Sequence, residues 1–190
     1  MRLTENELKY LIKEIVRRIV KEYNENPTPS VYVGTYGKYN SGSLEGEWVD
    51  LTRFDSKKEF LNYCYNTLHA NERDAELMFQ DYEYIPEIFI GESFIDERFW
   101  DFMKENNDYP FDVKYAVANH VSDVDEYFNV IDDIVFYPGC KDMSDVAYYS
   151  VKNFGYPQNM EEYFDFDAFG NALWSEGNWV ESDEGMIEIA

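Results

Sequence analysis

The stretch VYVGTYGKYNSGSLEGEWVDL, Val31–Leu51, decides how the rest of the chain is read. Its first ten residues, Val31–Asn40, favour extended backbone and read as a strand. SGSLEGE supplies the glycines of a turn, and EWVDL, Glu47–Leu51, reads as the second strand. Just downstream, Ser56 is a helix cap. It precedes a helix through Leu68 with Phe60, Leu61, Cys64 and Leu68 on one face. AELMFQDYE, Ala75–Glu83, is a third strand. Together these elements make a small α+β unit over residues 31–91.

Residues 1–30 have a different character. Their six basic and five acidic residues give a net +1, so the other 160 residues carry −24. In LTENELKYLIKEIVRRIVKEY, the residues Leu8, Leu11, Ile12, Ile15, Val16, Ile19 and Val20 form one helical stripe. Thr4 and Glu7 make a capping box. Asn24–Pro29 (NENPTP) breaks the helix and reads as a linker. The amphipathic helix reads as a packing or self-association element. Its charged start is not the apolar region of a signal peptide. No apolar run reaches the ~18 residues that a membrane helix needs.

Beyond the first unit, residues 92–128 read as helical, within a second domain over 92–130. Glu97, Asp101 and Glu105 stand at i, i+4 and i+8, with Asp108 near the same face; Phe94, Phe99, Phe102 and Met103 lie off that stripe. Asn106–Pro110 ends this helix, and Tyr115–His120 and Val124–Asn129 read as shorter ones. A third unit, residues 131–190, opens with the strand Asp133–Tyr137 and a turn at Pro138-Gly139. Helices are expected over Met143–Phe154, capped by Gly155, and over Met160–Trp174. Asn178–Glu181 and Met186–Ile189 form a hairpin around Asp183-Glu184-Gly185. The expected fold class is α+β in three small domains (α+β, helical, α+β), preceded by the N-terminal helix.

Charge is the dominant signal. The net charge is −23, from 39 acidic and 16 basic residues, yet 45% of residues are hydrophobic and 18% aromatic, enough to build a core. Such a chain is a poor ligand for nucleic acid or anionic membrane and a good one for a basic surface. From Asp74 to Tyr137 there are 17 acidic residues against Arg98, Lys104 and Lys114; from Asn153 to Ala190 there are nine and no Lys or Arg. The i,i+4 partners of an ordinary solvated face are missing. On a helix, Glu97 to Asp101 is a step of about 6 Å, comparable to the phosphate spacing along one DNA strand. The candidate phosphate-like carboxylates are Asp96, Glu97, Asp101, Glu105, Asp108, Asp112, Asp123, Asp125, Glu126, Asp132, Asp133, Glu161, Glu162, Asp165 and Asp167.

Catalytic and metal motifs are weak. His69 and His120 sit in no metal or nucleophile motif and read as surface or half-buried. Gly34, Gly37 and Gly42 form no phosphate loop. Asp165-Phe166-Asp167-Ala168-Phe169-Gly170 with Glu176 approaches a calcium loop, but Phe169 takes a ligand position and a strand follows; an acidic helix fits better. Cys64 and Cys140 read as reduced cytosolic thiols. No cofactor and no metal is expected.

Several short blocks, in order, resemble the ArdA antirestriction proteins. They are Val31–Ser43 with Gly46 and Trp48; Met78–Glu83 with Ile85-Pro86; Asp145-Val146-Ala147-Tyr148-Tyr149; Tyr163–Leu173; and Gly185–Ile189. The resemblance covers about residues 31–189. It implies an elongated three-domain homodimer, encoded on a mobile genetic element for evasion of host defence in the bacterial cytoplasm. It implies a non-enzymatic DNA mimic that fills the DNA groove of the methyltransferase core of type I restriction-modification enzymes and inhibits them stoichiometrically. Asp142–Gly155 matches the family's antirestriction motif. That match implies a dimer-interface role for the region of Asp142, Asp145, Val146, Tyr148 and Tyr149. A second reading of the charge alone is an acidic adaptor for some other basic protein.

Overall fold

The structure is a computed structural model that describes residues 27–104, 109–153 and 163–189. The expected N-terminal helix, the Gly155 cap and the start of the Met160–Trp174 helix lie outside the described residues. Within them the chain is mixed α and β, with seven α-helices and small antiparallel sheets.

The first sheet has strand order β2-β1-β3, with β1 at Ser30–Thr35, β2 at Glu47–Asp50 and β3 at Leu77–Glu83. Val31 and Val33 of β1 are fully buried with Val49, and Tyr32 points the other way, as the period of two requires. The strand expected over Val31–Asn40 ends early. Residues Tyr36–Asn40 form a short helix, α1, because the Thr35 hydroxyl oxygen accepts from the Lys38 amide at 3.3 Å and starts a helical turn. Likewise β2 stops at Asp50, whose carboxylate caps the 3₁₀ turn Leu51–Arg53.

Ser56 caps α2 (Lys57–Tyr63) by accepting from the Glu59 amide, and Glu59 Oε2 accepts in return from the Asp55 amide at 2.9 Å. The expected helix does reach Leu68, but its last stretch, Cys64–Leu68, is a π-helical turn closed by His69 N–H donating to the Cys64 carbonyl.

His69 is buried, with 3% of its surface exposed, against the expectation of a surface or half-buried ring. Its Nδ1 lies 2.8 Å from Glu72 Oε1, the Thr35 hydroxyl donates to Glu72 Oε2 at 2.7 Å, and Lys38 Nζ is 3.1 Å from Glu72 Oε1. Glu72 thus ties the loop after α2 to the corner between β1 and α1. Desolvation works to raise the Glu72 pKa, but the hydrogen bonds from Thr35, His69 and Lys38 outweigh it and hold the carboxyl down at about 2.

Residues 92–128 are not helical throughout. A short hairpin pairs β4 (Ile90–Gly91) with β5 (Phe94–Ile95) before α3 (Phe99–Lys104), α4 (Phe111–His120) and α5 (Val124–Val130) follow. The helix expected from Tyr115 starts four residues earlier, at Phe111, directly after Pro110. Phe89 lies at the centre of the core, with the rings of Phe99, Phe102, Tyr127 and Phe128 at 5.6, 5.2, 5.9 and 6.4 Å between centroids. Trp100 links this cluster to the first sheet: its ring lies 6.1 Å from Phe60, and its Nε1 donates to the Phe54 carbonyl at 3.0 Å. One contiguous buried cluster therefore runs from Val31 through α5 to Ile187 and Ile189.

The second three-stranded sheet has order β6-β8-β7, with β6 at Val135–Pro138, β7 at Asn178–Ser182 and β8 at Gly185–Ile189. The β7–β8 hairpin has the expected turn. Helices α6 (Met143–Asn153) and α7 (Phe166–Glu176) pack against each other. The helix expected over Met160–Trp174 starts at Phe166 because Asp165 caps it, its Oδ1 accepting from the Ala168 amide at 2.9 Å. That helix occupies the positions that a calcium loop would need. Gly170 is buried where α7 meets the start of α6: an added Cβ would sit 2.5 Å from the Met143 carbonyl oxygen.

Two outcomes follow from these contacts. Helix propensity alone would make Gly170→Ala stabilising by up to about 1 kcal/mol, whereas a backbone clash costs about 1–3 kcal/mol. Thermal unfolding of G170A is therefore expected at lower temperature than wild type, and a higher one would refute the close packing. Glu72 has a folded pKa of about 2, below the ordinary 4.5. Its contribution is present above pH 4.5 and is lost as pH falls towards 2. Over that window wild type should lose more stability than Glu72→Gln, measured by melting temperature against pH.

Candidate functional site

The acidic candidates divide by what each carboxylate touches. Asp96 and Asp125, far apart in sequence, are brought together by Arg98. The guanidinium Nε lies 3.3 Å from Asp96 Oδ1 and its Nη1 donates to Asp125 Oδ1. The Asp96 side chain also accepts from the Arg98 amide at 2.9 Å. Partial burial raises the Asp96 pKa, but the bonds and charge of Arg98 more than offset this and lower it; the same two carboxylates raise that of Arg98. These two candidates share one counter-charge within the chain, so the trio keeps a net −1.

A second group caps helices. Asp123 Oδ1 accepts from the Glu126 amide at 2.8 Å, and Glu126 Oε2 accepts from the Ser122 amide at 2.7 Å, which starts α5. Asp142 and Asp145 do the same for α6: Asp142 Oδ1 accepts from the Ser144 and Asp145 amides, and Asp145 Oδ2 from the Lys141 amide at 2.8 Å. Asp165 caps α7, and Asp167 in its first turn accepts from the Ser144 hydroxyl at 2.5 Å. All six are exposed, so their charge faces solvent even though one oxygen is engaged.

A third group, Glu97, Asp101, Asp132 and Asp133, is exposed and has no ion-pair partner among the described residues. Glu97 precedes α3 in a turn, and only Asp101 lies on the helix, so the expected i, i+4, i+8 ladder is not a continuous helical stripe among the described residues. Asp112 lies in the first turn of α4, half-buried. Glu105, Asp108, Glu161 and Glu162 lie outside the described residues.

The three cations between Asp74 and Tyr137 all bond to this chain. Arg98 bridges Asp96 and Asp125. Lys104 Nζ donates to the Asp55 carbonyl at 2.5 Å and lies 3.9 Å from its carboxylate. Lys114 is buried, with 5% of its surface exposed; its Nζ donates to the Phe102 carbonyl at 3.0 Å and sits 5.3 Å from the centroid of the Phe102 ring. Sequence reasoning counted Lys114 against the acidic residues of 74–137 as if it were an ordinary counter-charge. The signal against that was its place among Val113, Val117 and Ala118 on the buried side of α4.

In the Asp142–Gly155 segment, Val146 and Ala147 face the core, while Tyr148 and Tyr149 remain 39% and 46% exposed. Tyr149 packs edge-on to Tyr137 at 5.7 Å, and Tyr148 edge-on to Phe166 at 5.4 Å with Lys152 over its ring. Cys64 and Cys140 are unbridged and buried; burial pushes the Cys64 thiol up to about 12 and also raises that of Cys140. Both are therefore poor nucleophiles. Among the described residues no group of three or more His, Cys, Asp or Glu is placed to hold a metal, and no helix is long and apolar enough to cross a membrane.

No curated protein matches the chain by sequence comparison. A family model described as antirestriction protein (ArdA) matches residues 31–188, most of the chain. The blocks that resemble that family lie on β1, α1, β2, β3, α6, α7 and β8, and so fall in both three-stranded sheets and in the α6–α7 pair. The chain belongs to the ArdA antirestriction protein family.

Proposed function

We propose that this protein is a DNA mimic. It occupies the DNA-binding groove in the methyltransferase core of type I restriction-modification enzymes and inhibits them stoichiometrically, as an elongated three-domain homodimer in the bacterial cytoplasm. Membership of the ArdA family supports the antirestriction role. The observation that carries the mimicry is the disposition of charge over residues 74–137. Its three cations bond to this chain's own groups, while Glu97, Asp101, Asp123, Glu126, Asp132 and Asp133 stay exposed.

Such a surface offers a basic groove what DNA offers, many fixed negative charges with few counter-charges among them. Each exposed contact contributes little, about 0–1 kcal/mol, so binding rests on the sum and no single carboxylate dominates. The attraction falls off over a Debye length of ~8 Å at physiological salt and shortens as salt rises. The exposed tyrosines of α6, Tyr148 and Tyr149, lie in the segment matched to the dimer-forming antirestriction motif and are the proposed contact between two copies.

The test is a competition titration: labelled duplex DNA on a type I methyltransferase core, challenged with this protein at two salt concentrations. Stoichiometric displacement that weakens with salt is expected. No displacement by folded protein would point to an acidic adaptor for another basic partner. In the same assay Glu97→Gln alone should change inhibition by less than about fivefold. The combined variant E97Q/D101N/D132N/D133N should weaken it by roughly tenfold or more while retaining the wild-type melting transition. Full-strength inhibition by that variant would refute the assignment of these carboxylates.

A further inference from the structure

We propose that residues 3–23 of this chain dock as an amphipathic helix on the outward face of the sheet β2-β1-β3. The inner face of that sheet is closed by Phe60, Cys64 and the rest of the core. Its outer face centres on Tyr32 and Trp48, which are register partners and pack edge-on at 5.6 Å. Trp48 is 43% exposed and Leu44 is 67% exposed; the Tyr32 hydroxyl donates to the Leu44 carbonyl and accepts from the Gly46 amide, which fixes the loop beside this patch. An exposed indole and leucine beside a half-buried phenol ring make an apolar surface that the described residues leave partly open.

The rim of the patch is acidic. Asp81 pairs in register with Tyr32, and Asp50 and Glu83 flank Ser30 on either side. The segment ahead of the sheet has the complementary pattern. Its apolar stripe from Leu8 to Val20 is bordered on one side by Lys9, Lys13 and Arg17 at i, i+4 and i+8. It carries net +1 next to a body of −24.

Chain length confines the choice of site. β1, the central strand, starts at Ser30, and the linker Asn24–Pro29 has six residues. Fully extended it spans at most about 20 Å. The end of the helix is thus held close to the end of the sheet where Asp50 and Glu83 lie. Docking there covers the aromatic pair with the apolar stripe and sets lysines against the rim carboxylates. It also removes part of the negative field around the first sheet.

Zero-length carbodiimide cross-linking of the full-length protein tests this, using an equal mixture of light- and heavy-nitrogen protein analysed by mass spectrometry. The expected result is Lys9 or Lys13 joined to Asp50, Asp81 or Glu83 within chains of one isotope. Mixed-isotope links would overturn the proposal in favour of docking on a second copy, and links to other carboxylates, or none, would overturn it outright. The double variant I12E/V16E alters only the stripe. It should lose roughly tenfold or more of those links while residues 27–190 melt as before, and undiminished links would also overturn the proposal.

Discussion

Phe89 and the rings around it hold together a chain that its own charge pushes apart. Burying a side chain of this size contributes about 1.5–3 kcal/mol, and edge-on ring contacts add roughly 0.5–1.5 kcal/mol each. The strand β4, the helices α3 and α5 and, through Trp100, the first sheet all converge on this cluster. Exposed like charges more than a Debye length apart repel weakly at physiological salt. The apolar cluster acts over contact distances and is not weakened by charge screening. The aromatic content of the sequence is thus the condition for carrying −23, since the same carboxylates on an aliphatic, loosely packed chain would favour expansion.

Backbone geometry provides a second accommodation. Asp50, Glu59, Asp123, Glu126, Asp142, Asp145, Asp165 and Asp167 lie at or beside the starts of helices or 3₁₀ turns. There all but Asp167, which accepts from the Ser144 hydroxyl, satisfy amides that have no intrahelical partner, and they lie at the positive end of the helix dipole. Three helices repeat one arrangement: a Ser or Asp cap, an acid three residues on, and that acid reaching back to the amide just before the cap. Negative charge placed this way stabilises the fold locally and still faces solvent. A function that needs exposed carboxylates and a fold that needs caps draw on the same residues.

Much of this was legible in the sequence. Strand alternation gave β1, β2, β3 and the β7–β8 hairpin, and Ser56 gave the start of α2, because these signals are local. The errors fell where a side chain acted on a distant group or redirected the backbone. Thr35 and Asp165 turned expected strand and helix into cap positions. Lys114 looked like a counter-charge but takes a core position, where the Phe102 carbonyl and ring receive it. The closure of Arg98 on Asp125 joins residues 27 apart, a contact that no spacing rule encodes. Periodicity likewise put Glu97 on a helix, but the turn after Asp96 delays that helix to Phe99.

The disposition of the cations changes what the charge count means. Read along the sequence, three basic residues among 17 acidic ones from Asp74 to Tyr137 look like partial neutralisation of a surface. In the fold, Arg98 bridges two specific carboxylates, Lys104 holds the Asp55 backbone, and Lys114 takes its charge inside. None of them stands beside Glu97, Asp101, Asp132 or Asp133 as an ion-pair partner. Cations held in contacts elsewhere in the chain stabilise the fold and leave these four carboxylates without an adjacent counter-charge. A basic groove meeting this surface would have little positive charge to displace first. That separation distinguishes a surface suited to replacing a polyanion from one that is merely rich in acid.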